Sequence, residues 1–179
     1  MRSDPYLAAE DSALLREALK ACHGETCLEI GAGNGGNLVN LAGRFELVVG
    51  TDLVRPEMED WRKEADYLLA DGASCFRDAC FDLVAFNPPY LKEGNAGDRS
   101  VEGGENLEVP KKFLASALRV VRPDGRIVML LDGDAAVDDF ELMVSEHGFS
   151  LRKLATRHLF FEELAVYGAS AVDEERSRH

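Results

Sequence analysis

The chain has 179 residues, 46% of them hydrophobic and 30% charged, the balance of an ordinary folded domain rather than a disordered one. Its 20 basic residues against 33 acidic ones give a formal net charge of −13, which repels phosphate backbones and argues against direct nucleic-acid binding. No apolar run approaches the roughly 20 residues of a membrane span, and no apolar stretch follows the opening Met1-Arg2-Ser3-Asp4-Pro5, so a cytoplasmic protein is expected.

The pattern predicts one domain over residues 1–170 and a charged, frayed tail over 171–179. Capping chemistry at Glu10-Asp11-Ser12 opens a first helix, with Leu14, Leu15 and Leu19 at helical spacing. A short strand, Cys27 to Ile30, runs into a glycine cluster with a helix from Asn37 to Leu41 behind it. Leu47 to Gly50 forms a second strand ending at Asp52. A helix around Met58 to Glu64 leads to a third strand, Tyr67-Leu68-Leu69, ending at Asp71. Phe81 to Phe86 is a fourth strand, followed by Asn87-Pro88-Pro89-Tyr90 and a long loop from Lys92 to Asn106. A helix over about Leu107 to Val121 precedes a Pro123-Asp124-Gly125 turn and an apolar strand, Ile127 to Leu131. A last helix, Val137 to His147, leads to two strands, Leu151 to His158 and Glu163 to Tyr167, that can pair antiparallel at a sheet edge. Alternating apolar runs and amphipathic stretches of this kind build a mostly parallel sheet covered by helices.

Candidate functional residues collect just after strand ends, where open α/β sheets bind ligands. Gly31-Ala32-Gly33-Asn34-Gly35-Gly36 follows a strand and opens a helix, letting the backbone approach a ligand closely. It also matches the dinucleotide fingerprint G-x-G-x-x-G, a weak signal when alone. Glu29, two residues before the first glycine, suits a cationic group rather than a pyrophosphate. Asp52 is placed to accept from a ribose diol, and Asp71-Gly72 from an adenine amine. Singly, each of these carboxylates is also what a turn or cap uses, and the Ser12 hydroxyl equally suits a cap. Together, at three successive strand ends, they fit an adenosyl ligand carrying an ammonium.

Asn87-Pro88-Pro89-Tyr90 is the most informative stretch. Its prolines fix φ and remove two backbone donors, leaving a stiff turn rich in carbonyl acceptors. With the Asn87 side-chain oxygen, those carbonyls can accept both hydrogens of a substrate –NH2, while Tyr90 offers a flat packing face. Isolated, an Asn-Pro-Pro run is simply a turn; here it ends an apolar strand, downstream of the glycine loop and both aspartates.

The ordered set Glu29-Ile30-Gly31-Ala32-Gly33, Asp52, Asp71 and Asn87-Pro88-Pro89-Tyr90 resembles the HemK/PrmC-type N5-glutamine methyltransferases. Tyr6, Glu10-Asp11-Ser12, Leu14-Leu15 and Gly103-Gly104 are similar to the short archaeal–eukaryotic branch of that family, with Ala8 standing where a proline is usual. The resemblance runs to about Tyr167. It implies a class I S-adenosylmethionine-dependent methyltransferase (Rossmann-like) fold, with a seven-stranded, mostly parallel sheet and helices on both faces. It also implies cofactor binding by Ser12, Glu29, Gly31, Asp52, Asp71 and Gly72, with Gly33 in the same loop, and a substrate-orienting Asn87. The implied substrate is the Gly-Gly-Gln glutamine of a class-one release factor, and the implied partner a small zinc-binding activator subunit on the exposed sheet edge. The same tetrapeptide occurs in adenine-N6 methyltransferases, and some relatives are reported to methylate protein lysine, so it specifies an N–H-bearing acceptor better than one substrate.

The apolar third strand, unprotected by lysine or proline, is consistent with cover by a partner or equally by an internal helix. The cysteines, Cys22, Cys27, Cys75 and Cys80, pair as C-x4-C without a nearby histidine, so no metal site is expected and all four read as buried or half-buried thiols. His23, His147, His158 and His179 are scattered. Trp61 and Phe160-Phe161 read as packing or partner surface, Lys111-Lys112 as a solvated face, and Ser100 and Ser116 lack triad partners.

Overall fold

The computed structural model describes residues 5–55, 64–88, 107–132, 137–159 and 162–172. Helix α1 (Pro5–Leu19) precedes strand β1 (Gly24–Ile30), helix α2 (Gly36–Leu41) and strands β2 (Phe45–Asp52), β3 (Asp66–Leu69) and β4 (Phe81–Phe86). Helix α3 (Glu108–Val120), strand β5 (Val121–Asp132), helix α4 (Val137–Ser145) and strands β6 (Phe149–Leu159) and β7 (Glu162–Ala171) follow. Among the described residues the strands form one seven-stranded sheet in the order β3-β2-β1-β4-β5-β7-β6. The pairs from β3 through β5 are parallel, and β7 runs antiparallel between β5 and β6. The chain crosses from β3, at one edge, to β4 on the far side of β1, so the connection reverses direction between β1 and β4. That gap is the switch point at which ligands enter such sheets.

Strict alternation along the central strands loads both faces. Cys27, Val48, Leu83, Ala85, Val128, Leu130, Leu164 and Val166 pack with Leu14, Leu15, Leu19, Leu38 and Leu41 of α1 and α2. Their neighbours Leu28, Ile30, Val49, Val84, Phe86, Ile127 and Met129 pack on the other face with Leu114, Ala117 and Leu118 of α3 and Phe140 and Val144 of α4. In α3 the buried Pro110, Leu114, Ala117 and Leu118 fall at helical spacing, and Pro110 sits in the first turn, where no intrahelical N–H is lost. Each fully buried Leu or Phe of these cores contributes about 1.5–3 kcal/mol. No helix among the described residues is long and apolar enough to cross a membrane.

Several boundaries differ from those expected. Helix α1 starts at Pro5 rather than at a cap near residue 10, because a proline at the first helical position is already set at helical φ; Ser12 is therefore mid-helix and caps nothing. The Pro123-Asp124-Gly125 turn lies inside β5, as a register shift between its pairings to Phe81 and Leu83. Ala171, assigned to the tail, ends β7, and the Val172 amide still donates to the Gly148 carbonyl at 3.1 Å. Cys22 and Cys27 are buried and Cys80 half-buried, but Cys75 is exposed. The expected helix over 58–64 lies outside the described residues as far as residue 63, as do the 92–106 loop and the 173–179 part of the tail.

At the amino ends of the strands, Asp82 ties β4 to β1. Its Oδ2 accepts the Glu25 and Thr26 amides, both at 2.8 Å, and its Oδ1 pairs with the Arg122 guanidinium. Burial opposes ionisation of this carboxyl, but the Thr26 amide, Arg122 and the Glu25 amide together hold it below the usual range. A carboxyl depressed in the folded state contributes stability that is complete above its unfolded value, near about pH 4, and is lost as pH falls through the folded one. Asp82→Asn should therefore cost about 1–3 kcal/mol at neutral pH. Denaturant melts should show the gap to the unsubstituted protein closing below about pH 4; a gap independent of pH would contradict the assignment.

Candidate active site

The residues predicted from β1, β2 and β4 converge at the carboxyl ends of those strands. Glu29 pairs across the sheet with Gly50 on one side and Ala85 on the other. Two-residue alternation therefore directs Glu29, Asp52 and the start of the Asn87 turn toward the α1–α2 face. Asp71 and Gly72 follow β3 as the chain turns back under α3; Asp71 is exposed and the Gly72 backbone lies under the Ser116 hydroxyl of α3. Ser12 is half-buried on α1. Asn87 is half-buried and Pro88 buried, while Pro89 and Tyr90 lie outside the described residues.

Glu29 is 3% exposed. Its Oε1 accepts from Asn37 Nδ2 at 2.6 Å, and its Oε2, although buried, has no hydrogen-bond partner among the described residues. Burial pushes its carboxyl up to about 7, against the Asn37 hydrogen bond and the Arg16 charge and with added repulsion from Asp52. A buried, half-satisfied carboxylate is costly by itself and suits a cationic ligand group. Asn87 Oδ1, on the same face, and Thr51 Oγ1, which alternation turns to the α3 face with Val49, are likewise buried without partners among the described residues. The pair on one face, Glu29 Oε2 and Asn87 Oδ1, suits a polar ligand.

The glycine loop is fixed from several directions. The Gly31 and Ala32 amides donate to the Thr51 carbonyl at 2.8 and 3.0 Å, and the Gly33 amide donates to Asp52 Oδ2 at 2.9 Å. Asp52 Oδ1 accepts the Val54 amide at 3.1 Å. A carboxylate has about four acceptor positions, so Asp52 can still receive hydroxyls. The Tyr67 hydroxyl donates to the Gly33 carbonyl at 2.8 Å. Burial, then Asp52 and Glu29, pushes that phenol up to about 12, so it stays a donor. Gly33, at φ +53°, has open space where a Cβ would stand, leaving its backbone accessible to a ligand. Gly31, at φ +70°, has no such space: a Cβ there would lie 2.9 Å from the Phe113 ring, which also meets Phe86 edge-on at 5.9 Å.

Four contributors were not visible in the sequence. Asn37 and Arg16 support Glu29, with Arg16 Nε donating to Asn37 Oδ1 at 3.4 Å. Phe113 walls the loop from α3. Tyr67, taken as part of an exposed apolar edge, turns inward onto Gly33, whereas Leu68 and Leu69 stay exposed. The only available signal was position, since Arg16 stands one helical turn after Ser12. Among the described residues, no group of three His, Cys, Asp or Glu side chains could hold a metal ion.

Gly31→Ala should destabilise the fold by at least the roughly 1–2 kcal/mol of a left-handed Cβ, plus the contact with Phe113. Shortening the ring by Phe113→Leu in the same chain should recover the contact part only, read from urea midpoints. Simple additivity of the two changes would show that residue 31 and the ring do not meet.

No protein-family model matches the chain, and no curated protein sequence matches it. Solved structures do. The E. cuniculi Mtq2–Trm112 complex, responsible for methylation of the eRF1 translation termination factor, aligns with TM-score 0.70 at 24% identity over 91% of this chain and 96% of that one. The YcgJ protein from Bacillus subtilis aligns with TM-score 0.64 at 12% identity, covering 92% of this chain and 99% of that one. The N-methyltransferase NodS from Bradyrhizobium japonicum, in complex with S-adenosyl-L-homocysteine, aligns with TM-score 0.64 at 13% identity, covering 96% and 90%. At these identities the likeness is one of architecture: the chain has the class I methyltransferase fold.

Proposed function

We propose that the chain is an S-adenosylmethionine-dependent N-methyltransferase acting on the glutamine of the Gly-Gly-Gln loop in a class-one translation release factor. The observation that carries this reading is Asn87 Oδ1, a buried acceptor without a partner among the described residues, just past the end of β4 and on the same sheet face as the half-satisfied Glu29. The residues present fit the cofactor. Glu29 Oε2 lacks the donor an ammonium would bring, the open space over Gly33 admits a ligand against the backbone, and Asp52 retains acceptor capacity for a diol. In this reading Glu29, Gly31, Gly33 and Asp52 hold the amino-acid and ribose parts, Asp71 and Gly72 face the adenine, and Ser12 contributes from α1.

When bound, S-adenosylmethionine supplies an electrophilic methyl group on a sulfonium. The chain's part is to present the nitrogen. An amide nitrogen is a poor nucleophile because its lone pair is delocalised into the carbonyl. Asn87 Oδ1 and the Pro88 carbonyl accept the two amide hydrogens and turn the lone pair away from them, with Tyr90 proposed from the sequence as a flat packing face for the amide. No strong base is required, since the proton leaves after transfer. Positioning of this kind can contribute about 7–11 kcal/mol.

The E. cuniculi Mtq2–Trm112 complex supports both the substrate and a small activator partner, here proposed to be zinc-binding. The docking surface would be the β3 edge, where Leu53, Val54, Leu68 and Leu69 are exposed together next to a strand edge unpaired among the described residues.

Asn87→Ala should reduce methyl transfer by about 100-fold or more while leaving S-adenosylhomocysteine affinity nearly unchanged. The assay is transfer of labelled methyl to release factor, with mass spectrometry locating the modified residue. Label on nucleic acid alone, or on a lysine alone, would replace glutamine as the acceptor; undiminished turnover in the variant would remove Asn87 from the chemistry. Leu68→Asp with Leu69→Asp should abolish co-purification of the activator from co-expressing cells, and retention of the complex would place it elsewhere.

A further inference from the structure

Glu29 is connected to solvent-side charge through one side chain. Asn37, itself only 7% exposed, donates to Glu29 Oε1 through Nδ2 and accepts from Arg16 Nε through Oδ1. This fixes the amide without ambiguity. Arg16 can only donate and an ionised Glu29 can only accept, so a flipped amide would face each with the wrong atom. The three groups come from α1, α2 and β1 and form a chain, Arg16 to Asn37 to Glu29 Oε1, leaving Glu29 Oε2 without a partner among the described residues.

Resting on the cofactor reading above, we infer that Asn37, steered by Arg16, is a positioning residue that holds Glu29 as an ionised acceptor for a cationic ligand group, so that capture of that group is coupled to the loss of a proton from the site. The donor aimed at Oε1 favours the charged carboxylate, and burial disfavours it. The other titratable groups facing Glu29 are Arg16 from α1, Asp52 from β2, Tyr67 from β3 and Cys27 from its own strand. Of these, burial keeps the Cys27 thiol and Tyr67 phenol protonated through neutral pH, so Glu29 is the member of the cluster that changes charge there. An ammonium needs the ionised form. Affinity should then rise with pH through about 7 and level off above it.

Replacing Asn37 by leucine leaves burial opposed by Arg16 alone, and replacing it by aspartate adds a like charge at hydrogen-bond distance. Both changes move the proton's departure to higher pH, aspartate further than leucine.

The test is calorimetry of S-adenosylhomocysteine binding from about pH 6 to 8.5, alongside carbon-detected NMR titration of the Glu29 carboxyl in ligand-free protein. In the unsubstituted protein, affinity should fall about tenfold per pH unit on the acid side. Asn37→Leu should weaken binding about tenfold at neutral pH and recover most of it at the alkaline end, with Asn37→Asp shifted further. Asn37→Ser, which restores a small donor, should lie between leucine and asparagine. Equal weakening at every pH, or an unshifted Glu29 titration in folded Asn37→Leu protein, would overturn the relay while leaving the cofactor reading intact. Absence of S-adenosylhomocysteine binding by the unsubstituted protein at any pH would overturn the cofactor reading and the inference with it.

Discussion

A carboxylate removed from water at the end of β1 is the constraint around which this molecule is arranged. Burying an unpaired charge in a protein interior is among the most expensive things a fold can do. Glu29 is nevertheless sealed between β2, β4 and α2, with one oxygen bound by Asn37 and the other without a partner among the described residues. Arg16 and Asn37 reduce the cost without removing it, and in the proposed reading the residual cost is what a cationic group would relieve on arrival. A fully satisfied Glu29 would be an ordinary buried polar residue, and a solvent-exposed one would interact far more weakly with a ligand. The intermediate state requires α1 to be in place, because Arg16 reaches the site only from that helix. The packing of Leu14, Leu15 and Leu19 against the sheet therefore serves the site as well as the core.

Around that carboxylate the backbone is held rigidly rather than left to adapt. Thr51 fixes Gly31 and Ala32, Asp52 and Tyr67 grip the amide and carbonyl of Gly33, and Phe113 closes the space on the α3 side of Gly31. Restraints from β2, β3 and α3 act on three consecutive residues. Loops set in this way lose little entropy on binding, which leaves more of the contact energy for affinity and alignment. The same logic extends across the switch point to β4, where the stiffness of Asn87-Pro88 comes from proline rather than from hydrogen bonds.

Most of this architecture was readable from the sequence because it rests on local pattern. Short apolar runs marked β1, β2, β4 and β5, and the position of Glu29, Asp52 and Asn87 at or just after the ends of those strands followed from them. Errors arose where two local signals competed. Glu10-Asp11-Ser12 has the chemistry of a helix cap, but Pro5 begins the helix earlier and α1 runs through all three. Pro123-Asp124-Gly125 has the chemistry of a turn, but the ladder on either side absorbs it as an irregularity within β5. The unread part of the site is of another kind. Arg16 meets Asn37 across 21 positions and Tyr67 meets Gly33 across 34, contacts that exist only once helices and strands have packed. No periodicity encodes them.

Strand β3 joins the two ends of the functional reading. It is four residues long and ladders only to β2 among the described residues, so by itself it is weakly held. Its first half sends Tyr67 inward to the Gly33 carbonyl, and its second half leaves Leu68 and Leu69 in solvent. In the proposed heterodimer, a partner pairing with that edge would supply the missing ladder and cover the leucines in one step. The strand thus fixed is the one whose hydroxyl restrains the glycine loop. Partner and cofactor would then be linked through Tyr67 without touching each other, since each favours the same placement of Gly33. An exposed apolar edge is a hazard to a solitary chain; in the proposed heterodimer this one, a single residue from Tyr67, would let assembly and ligand capture reinforce one another.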